Sequence, residues 1–272
     1  MKKIREPQVA GMFYPSSKIE LEKAITVFFN EVKVEQDYEE IGGIISPHAG
    51  YVYSGKTAAT AYKSLIGKSY DNVIVISPSH REYFTGISIY NGDSYKTPLG
   101  EISLNKELSD KLISDSEIIF QGEEGHSNEH ALEVQLPFLQ MVFSNFKLLP
   151  IVIGDQRKEF VDELAESLTK IIDEKTLLVA SSDLSHFYSK YKADILDSKV
   201  IEHINDFNSE ELQKDLETKK CEACGGGAIV ALLKSLKLKK FYKSKVVAHS
   251  DSGDITGDDS GVVGYLSAVI YN

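Results

Sequence analysis

Three apolar runs in this chain end in serine with a histidine shortly beyond, and that repeated device limits the fold more than any other feature. The first, Ile41–Ser46, stops at Pro47 and delivers His48 into Ala49-Gly50. The second, residues 72–77, leads through Pro78-Ser79 to His80. The third, residues 176–180, leads through Ser181-Ser182-Asp183-Leu184-Ser185 to His186. Short uninterrupted apolar runs bounded by Pro, Gly and Ser read as buried strands. In an open α/β sheet, ligands bind beyond the carboxyl ends of the strands. Histidines far apart in sequence can therefore meet at one sheet edge, and the pattern predicts a metal site.

Between these strands lie segments with helical periodicity, which makes the expected fold class α/β. It is a single three-layer domain spanning residues 1–272, with a central, largely parallel sheet flanked by helices. Helices are predicted over residues 18–32, capped by Ser16 or Ser17, and over 54–66, 105–113, 129–142 and 158–172. A charged helical stretch follows at 192–217, and Gly225-Gly226-Gly227 opens an apolar helix to about residue 236. Further strands are expected at 117–120, 148–153, 243–248 and 262–271, with an acidic linker at 35–40. Ile87-Ser88-Ile89-Tyr90 before Asn91-Gly92 has the residue types of a hairpin. No internal repeat is visible.

Length and charge narrow the function classes. A chain of 272 residues with 42% hydrophobic content buries a full core. With 30 Lys+Arg against 41 Asp+Glu the net charge is −11, which argues against nucleic acid as the main partner. The N-terminus lacks the apolar core of a signal peptide, and no apolar run approaches the ~20 residues of a spanning helix. The expectation is a cytoplasmic protein without a membrane role. Its two cysteines, Cys221 and Cys224, lie too close together to form a secreted disulfide framework.

Taken singly, His48 or His80 is most often a hydrogen-bonded structural residue. The pair at successive strand ends suits a transition metal, for which neutral imidazole is the commonest protein ligand. Cys221-Glu222-Ala223-Cys224 lacks the second Cys-x-x-Cys of a zinc ribbon. Cys224, directly before three glycines at a helix start, is a candidate third ligand or reactive thiol, where dipole and amides favour thiolate. Burial as a small hydrophobe stays open for it, and Cys221 is a bystander or redox partner. Asp183 and His186 can form an acid/base pair or join the ligands. Glu129-His130-Ala131-Leu132-Glu133 does not have His-Glu-x-x-His spacing, so His130 and Glu133 are cleft candidates that support ligands or touch substrate. No Gly-x-Ser-x-Gly elbow supports a serine hydrolase.

Several motifs occur in one order: Ala10-Gly11-Met12-Phe13-Tyr14, Pro47-His48-Ala49-Gly50-Tyr51, Pro78-Ser79-His80, Glu129-His130 with Leu136-Pro137-Phe138, Ser181 to His186, and Cys224-Gly225. In this the chain resembles the Memo family, including protein B of the AmmeMemoRadiSam system, over essentially its whole length. The resemblance implies a fold similar to that of class III extradiol (LigB-type) non-haem iron dioxygenases. It implies metal ligands at His48, His80 and Cys224, with Asp183 and His186 lining the same cleft and His186 as the catalytic acid/base. Those dioxygenases use two His and a carboxylate, and a thiolate in place of the carboxylate makes copper as reasonable as iron. The implied activity is that of a metal-dependent redox enzyme or oxygenase. The alternative is a non-catalytic module that binds a peptide or small ligand in the same cleft. Radical-SAM and AMMECR-type proteins are the partners that the resemblance suggests.

Overall fold

A computed structural model describes residues 2–34, 36–114 and 116–272. The acidic linker expected at 35–40 begins at Glu35, which lies outside the described residues. The helices are α1 (Lys18–Glu31), α2 (Tyr51–Lys63), α3 (Lys106–Ser114), α4 (Leu136–Val142), α5 (Lys158–Ile171), α6 (Lys190–Asn205), α7 (Ser209–Glu217), α8 (Gly226–Leu238) and α9 (Gly253–Thr256). The first six strands are β1 (Ile4–Arg5), β2 (Ile41–Ser46), β3 (Asn72–Pro78), β4 (Ile87–Tyr90), β5 (Ser94–Thr97) and β6 (Gly100–Ser103). They are followed by β7 (Ile119–Gly122), β8 (Lys147–Ile153), β9 (Thr176–Ser181), β10 (His186–Tyr188), β11 (Lys243–Asp251) and β12 (Val262–Tyr271).

Among the described residues the main sheet has nine strands, ordered β10-β12-β2-β9-β3-β8-β4-β7, with β11 also on β12. Its centre, β2-β9-β3-β8, is parallel, while β12 and β4 flank it antiparallel. The three strands expected to carry the histidines are therefore adjacent. Their register sets Ser46 beside Ser181 and Ile76 beside Ala180, so they end at one level.

Both faces of the central strands are covered, which is why they read as unbroken apolar runs. Ile45, Ile74, Ile76, Leu178 and Ala180 pack toward α5 and α8 residues such as Val161, Leu164, Ile229 and Leu232. Their neighbours Ile44, Val73, Val75, Leu177 and Val179 pack on the opposite side with Leu21, Ile25, Ala58, Tyr62 and Phe138. Successive strand side chains point to opposite faces, so the alternation makes three layers. Leu232, Leu233 and Leu236 of α8 are fully buried, each contributing about 1.5–3 kcal/mol of apolar burial.

Four local expectations are corrected. The hairpin after β4 does not form: β4 pairs with β8 and β7, whereas β5 leaves to join β1 and β6 in a separate three-stranded sheet. The backbone of Lys3 draws β5 away, since Asp93 N donates to Lys3 O at 2.8 Å and Lys3 N to Asp93 Oδ2 at 2.7 Å. Helix α2 starts at Tyr51 rather than 54: Gly50 holds its N-cap position, and Ser54 lies within the helix with its hydroxyl donating back to Ala49 O at 3.1 Å. Ser17 holds the N-cap position of α1 without a side-chain capping bond. The helix expected over 129–142 is a turn followed by a 3-10 segment, Glu133–Gln135, and then α4. Among the described residues no helix is long and apolar enough to cross a membrane.

Acid should weaken this fold through a histidine away from the cleft. His126 is almost fully buried, accepting from Tyr95 Oη at Nδ1 (2.6 Å) and donating from Nε2 to Ser88 O (3.2 Å). Burial pushes its pKa down to about 3, outweighing the upward pull of the Ser88 carbonyl. An unfolded histidine titrates near ~6.5, so the unfolded chain binds more protons than the native one between that value and the folded pKa. Stability is complete above the unfolded pKa and falls as pH drops. By linkage the His126 share of the loss between pH 7 and pH 5 is about 2 kcal/mol. Urea melts at both pH values should show the loss, and His126→Gln should shrink the difference; an equal pH difference in the variant would refute the assignment.

Candidate metal centre

Each residue of the candidate centre arrives from a different element. His48 follows β2 and precedes α2 by three positions. Its backbone N–H donates to Asp183 Oδ1 at 2.7 Å, which ties the β2 loop to the β9 loop. His80 follows β3. Cys224 precedes α8, whose start lies so close to β9 that a Cβ on Gly225 would sit 2.2 Å from Ser181 O. That approach carries Cys224 Sγ to 3.1 Å from His48 Nε2, across 176 residues of chain. Ligand atoms of His48, His80 and Cys224 all lie within 4.8 Å of one another.

A second group with ligand spacing is His80, Glu129 and His130. The sequence shows Glu129 only as a neighbour of the candidates His130 and Glu133, yet its carboxylate organises this side of the site. Oε2 accepts from His80 N at 2.5 Å, and Oε1 accepts from His130 N at 2.9 Å and Ala131 N at 3.0 Å. His80 Nδ1 lies 3.0 Å from the same Oε1. His130 Nδ1 is 3.1 Å from it but is not aligned for a hydrogen bond. Burial pushes the Glu129 pKa up, but the His130 and His80 contacts outweigh it and hold the carboxyl below its usual range. An ionised carboxylate only accepts, so His80 Nδ1 carries the hydrogen, and in the neutral imidazole Nε2 is the lone pair. With its oxygens already filled by amides, Glu129 serves as the group that orients His80.

The three imidazoles cluster closely, with the His48 ring edge-on to the other two: ring centroids are 5.0 Å apart for His48–His80, 4.9 Å for His80–His130 and 5.4 Å for His48–His130. Burial, then the neighbouring His80 and His130 rings, hold the His48 pKa well below its ordinary value, so His48 is neutral. Burial likewise raises the Cys224 thiol, and Asp183 nearby raises it further. Burial also raises Asp183, against the pull of the His48 amide.

His186 belongs to neither ligand-spaced group among the described residues. Its Nδ1 is 2.8 Å from Leu184 O, and a carbonyl only accepts, so Nδ1–H is the donor and Nε2 is the basic nitrogen. The expected support of His186 by Asp183 is not a direct hydrogen bond, because Asp183 Oδ1 is engaged by the His48 amide. His186 and Cys224 instead share the wall of a cavity of about 550 Å³ with Leu184, Leu216, Arg157 and Glu222. Cys221 lines the same cavity, is buried, and has its pKa raised to about 11 by burial and then Asp215. Both cysteines are free thiols.

Glu133 is corrected from cleft candidate to structural anchor. It is fully buried, and its carboxylate faces the N-terminal segment: Arg5 Nη1 and Tyr14 Oη donate to it, as do Gln8 N at 2.8 Å and Val9 N at 3.0 Å.

Fold and site together define a three-layer α/β protein with a His-His-Cys cluster at the carboxyl edge of its sheet. The profile of the family described as Memo-like protein matches residues 5–269. A MEMO1 family protein of Thermoplasma volcanium is 39% identical over 267 residues, covering 98% of each chain. One from Nitrosopumilus maritimus is 37% identical over 96% of this chain and 98% of its own. This chain belongs to the Memo family. A crystal structure of an uncharacterized protein from Escherichia coli K12 superposes with a TM-score of 0.57 at 15% identity, over 85% of this chain and 100% of that one, a likeness of fold alone.

Proposed function

We propose that this protein is a metal-dependent redox enzyme or oxygenase that holds iron or copper through His48, His80 and Cys224. The observation that carries the reading is the spacing of the three donors. Nitrogen and sulfur ligands at ~2.0–2.3 Å from one ion stand roughly 3–4.4 Å from each other. The 3.1 Å between His48 Nε2 and Cys224 Sγ fits that range, and the 4.8 Å limit for the whole set exceeds it only slightly. The donor types fit as well, since imidazole and thiolate suit iron, copper or zinc rather than calcium or magnesium. Bound there, iron or copper would supply one-electron or oxygen chemistry.

The remaining residues support that role. Glu129 engages His80 through Nδ1, which leaves Nε2 as the nitrogen for an ion, and Asp183 fixes the loop bearing His48. His186, whose Nδ1 is taken by Leu184 O, lines the cavity beside Cys224 and would take or give a proton at bound substrate through Nε2.

The test begins with purified protein. Metal content is measured in wild type and His48→Ala, followed by oxygen uptake under reductant. Stoichiometric iron or copper, lost in the variant, with metal-dependent uptake, supports the proposal. Protein that stays metal-free when challenged with either ion yet retains a ligand would replace it with the binding-module reading. Within the proposal, Glu129→Gln keeps the shape but removes the charge that orients His80. Partners that orient metal-binding histidines are typically worth 10–100-fold in affinity, so titration calorimetry should show a weakening of about that size.

A further inference from the structure

Ser181, the last residue of β9, has a fully buried hydroxyl with three partners. Ala131 O lies 2.7 Å away, Gln135 Nε2 2.7 Å and His48 Nδ1 2.9 Å. A hydroxyl has one hydrogen to give and two lone pairs to offer. A carbonyl only accepts, so the hydrogen goes to Ala131. The orientation of the Gln135 amide is equally determined. Its nitrogen faces Pro47 O at 2.9 Å, and its oxygen accepts from Tyr62 Oη at 2.8 Å. Turned over, it would set two carbonyl oxygens against each other at that 2.9 Å separation. Gln135 therefore donates to Ser181 and fills one lone pair. One remains, and His48 Nδ1 can meet it only as a donor.

We propose that Ser181 and Gln135 are positioning residues that hold His48 in the Nδ1–H tautomer, so that its Nε2 lone pair is aimed at Cys224 and the ion seat. A neutral imidazole in solution exchanges between tautomers, and the Nε2–H form cannot ligate through Nε2. The relay from Tyr62 through Gln135 and Ser181 removes that form before any ion arrives. It does for His48 what Glu129 does for His80, with a neutral acceptor in place of a charged one. Tyr62, Gln135 and Ser181 lie on α2, the 3-10 turn and β9. The tautomer thus depends on the packing of the sheet against one helical layer. The consequence for metal affinity rests on the metal reading above; the tautomer does not.

The decisive measurement is long-range proton–nitrogen correlation NMR on the metal-free, uniformly nitrogen-15-labelled protein at neutral pH, with His48 assigned from the signals absent in His48→Gln. We expect the Nδ1–H pattern. A wild-type His48 in the Nε2–H form, or an even mixture, overturns the proposal whatever any variant does. In Ser181→Ala the Nδ1–H preference should be lost and anaerobic ferrous-ion affinity should fall about 10–100-fold. Ser181→Thr, which keeps the hydroxyl, should restore both. A folded Ser181→Ala with an unchanged His48 spectrum also overturns it. If wild type shows the Nδ1–H form but takes up no iron or copper, the metal reading falls and the tautomer assignment stands.

Discussion

Replacing Arg5 with Met is expected to lower the unfolding free energy by about 3–5 kcal/mol, the usual loss when one partner of a buried ion pair is removed. Arg5 and Glu133 are 4% and 0% exposed at the side chain, and their contact joins β1 to the turn before α4. The other donors to Glu133, Tyr14 Oη and the Gln8 and Val9 amides, carry no positive charge. Loss of the guanidinium therefore strands a carboxylate away from water. Arg5 has further bonds to lose: Nε donates to His126 O at 3.0 Å and Nη2 to Glu129 O at 2.5 Å. These hold the segment that presents Glu129 and His130 to the centre, so the defect reaches the site as well as the core. For a chain of this size each 1 kcal/mol moves the melting temperature by ~2–4 °C, and a drop of roughly 10 °C is expected. Adding Glu133→Leu to Arg5→Met should recover part of the loss, because the stranded charge is gone. Urea and thermal melts check both variants. A single-variant loss under about 1 kcal/mol would show that the charge is relieved by water.

The parts of the fold legible in the sequence are those whose information is local. Strands β2, β3 and β9 are apolar runs closed by Ser, with Pro next in β2 and β3, and α8 is announced by its glycines. What escaped depends on partners far along the chain. β1 is two residues long and is a strand only because Ile4 and Arg5 find Ser94 and Tyr95. The segment from Glu129 has the apolar spacing of a helix. It is a turn because the Glu129 carboxylate captures the amides of His130, Ala131 and His80, the last 49 residues away. Glu133 looks like the polar face of that helix, and only Arg5, 128 residues earlier, reveals its use. The site divides in the same way. His48 and His80 could be placed from strand ends, whereas the meeting of His48 with Cys224 depends on a helix seated against Ser181 O at a position only glycine fits. Nothing in the spacing of Ser181 and Gln135 could show that they share one hydroxyl's bonds.

If His48, His80 and Cys224 hold iron or copper as proposed, Cys224→Ser should abolish most of the stabilisation that the ion would give. A ligand that binds only the native state stabilises by RT ln(1 + [L]/Kd), which is ~2.7 kcal/mol at a hundredfold excess over Kd. For this chain length that raises the melting temperature by roughly 5–10 °C. Losing the thiolate should weaken binding more than the 10–100-fold typical of removing a group that only orients a ligand. At the same metal concentration the variant's shift should then shrink to about 1 °C or less. Each protein is compared with its own metal-free form, so a change in intrinsic stability does not enter. Proton accounting gives a second signature. Burial holds the Cys224 thiol protonated well above its usual range, and only a thiolate ligates, so binding to wild type must expel a proton and strengthen as pH rises. Titrations in buffers of different ionisation heat should register that proton in wild type and lose it in Cys224→Ser. A variant that keeps the full thermal shift and releases the same proton would remove Cys224 from the ligand set. The weight would then move to the second ligand-spaced group, His80, Glu129 and His130, where a cation must compete with the amides that already fill the Glu129 carboxylate.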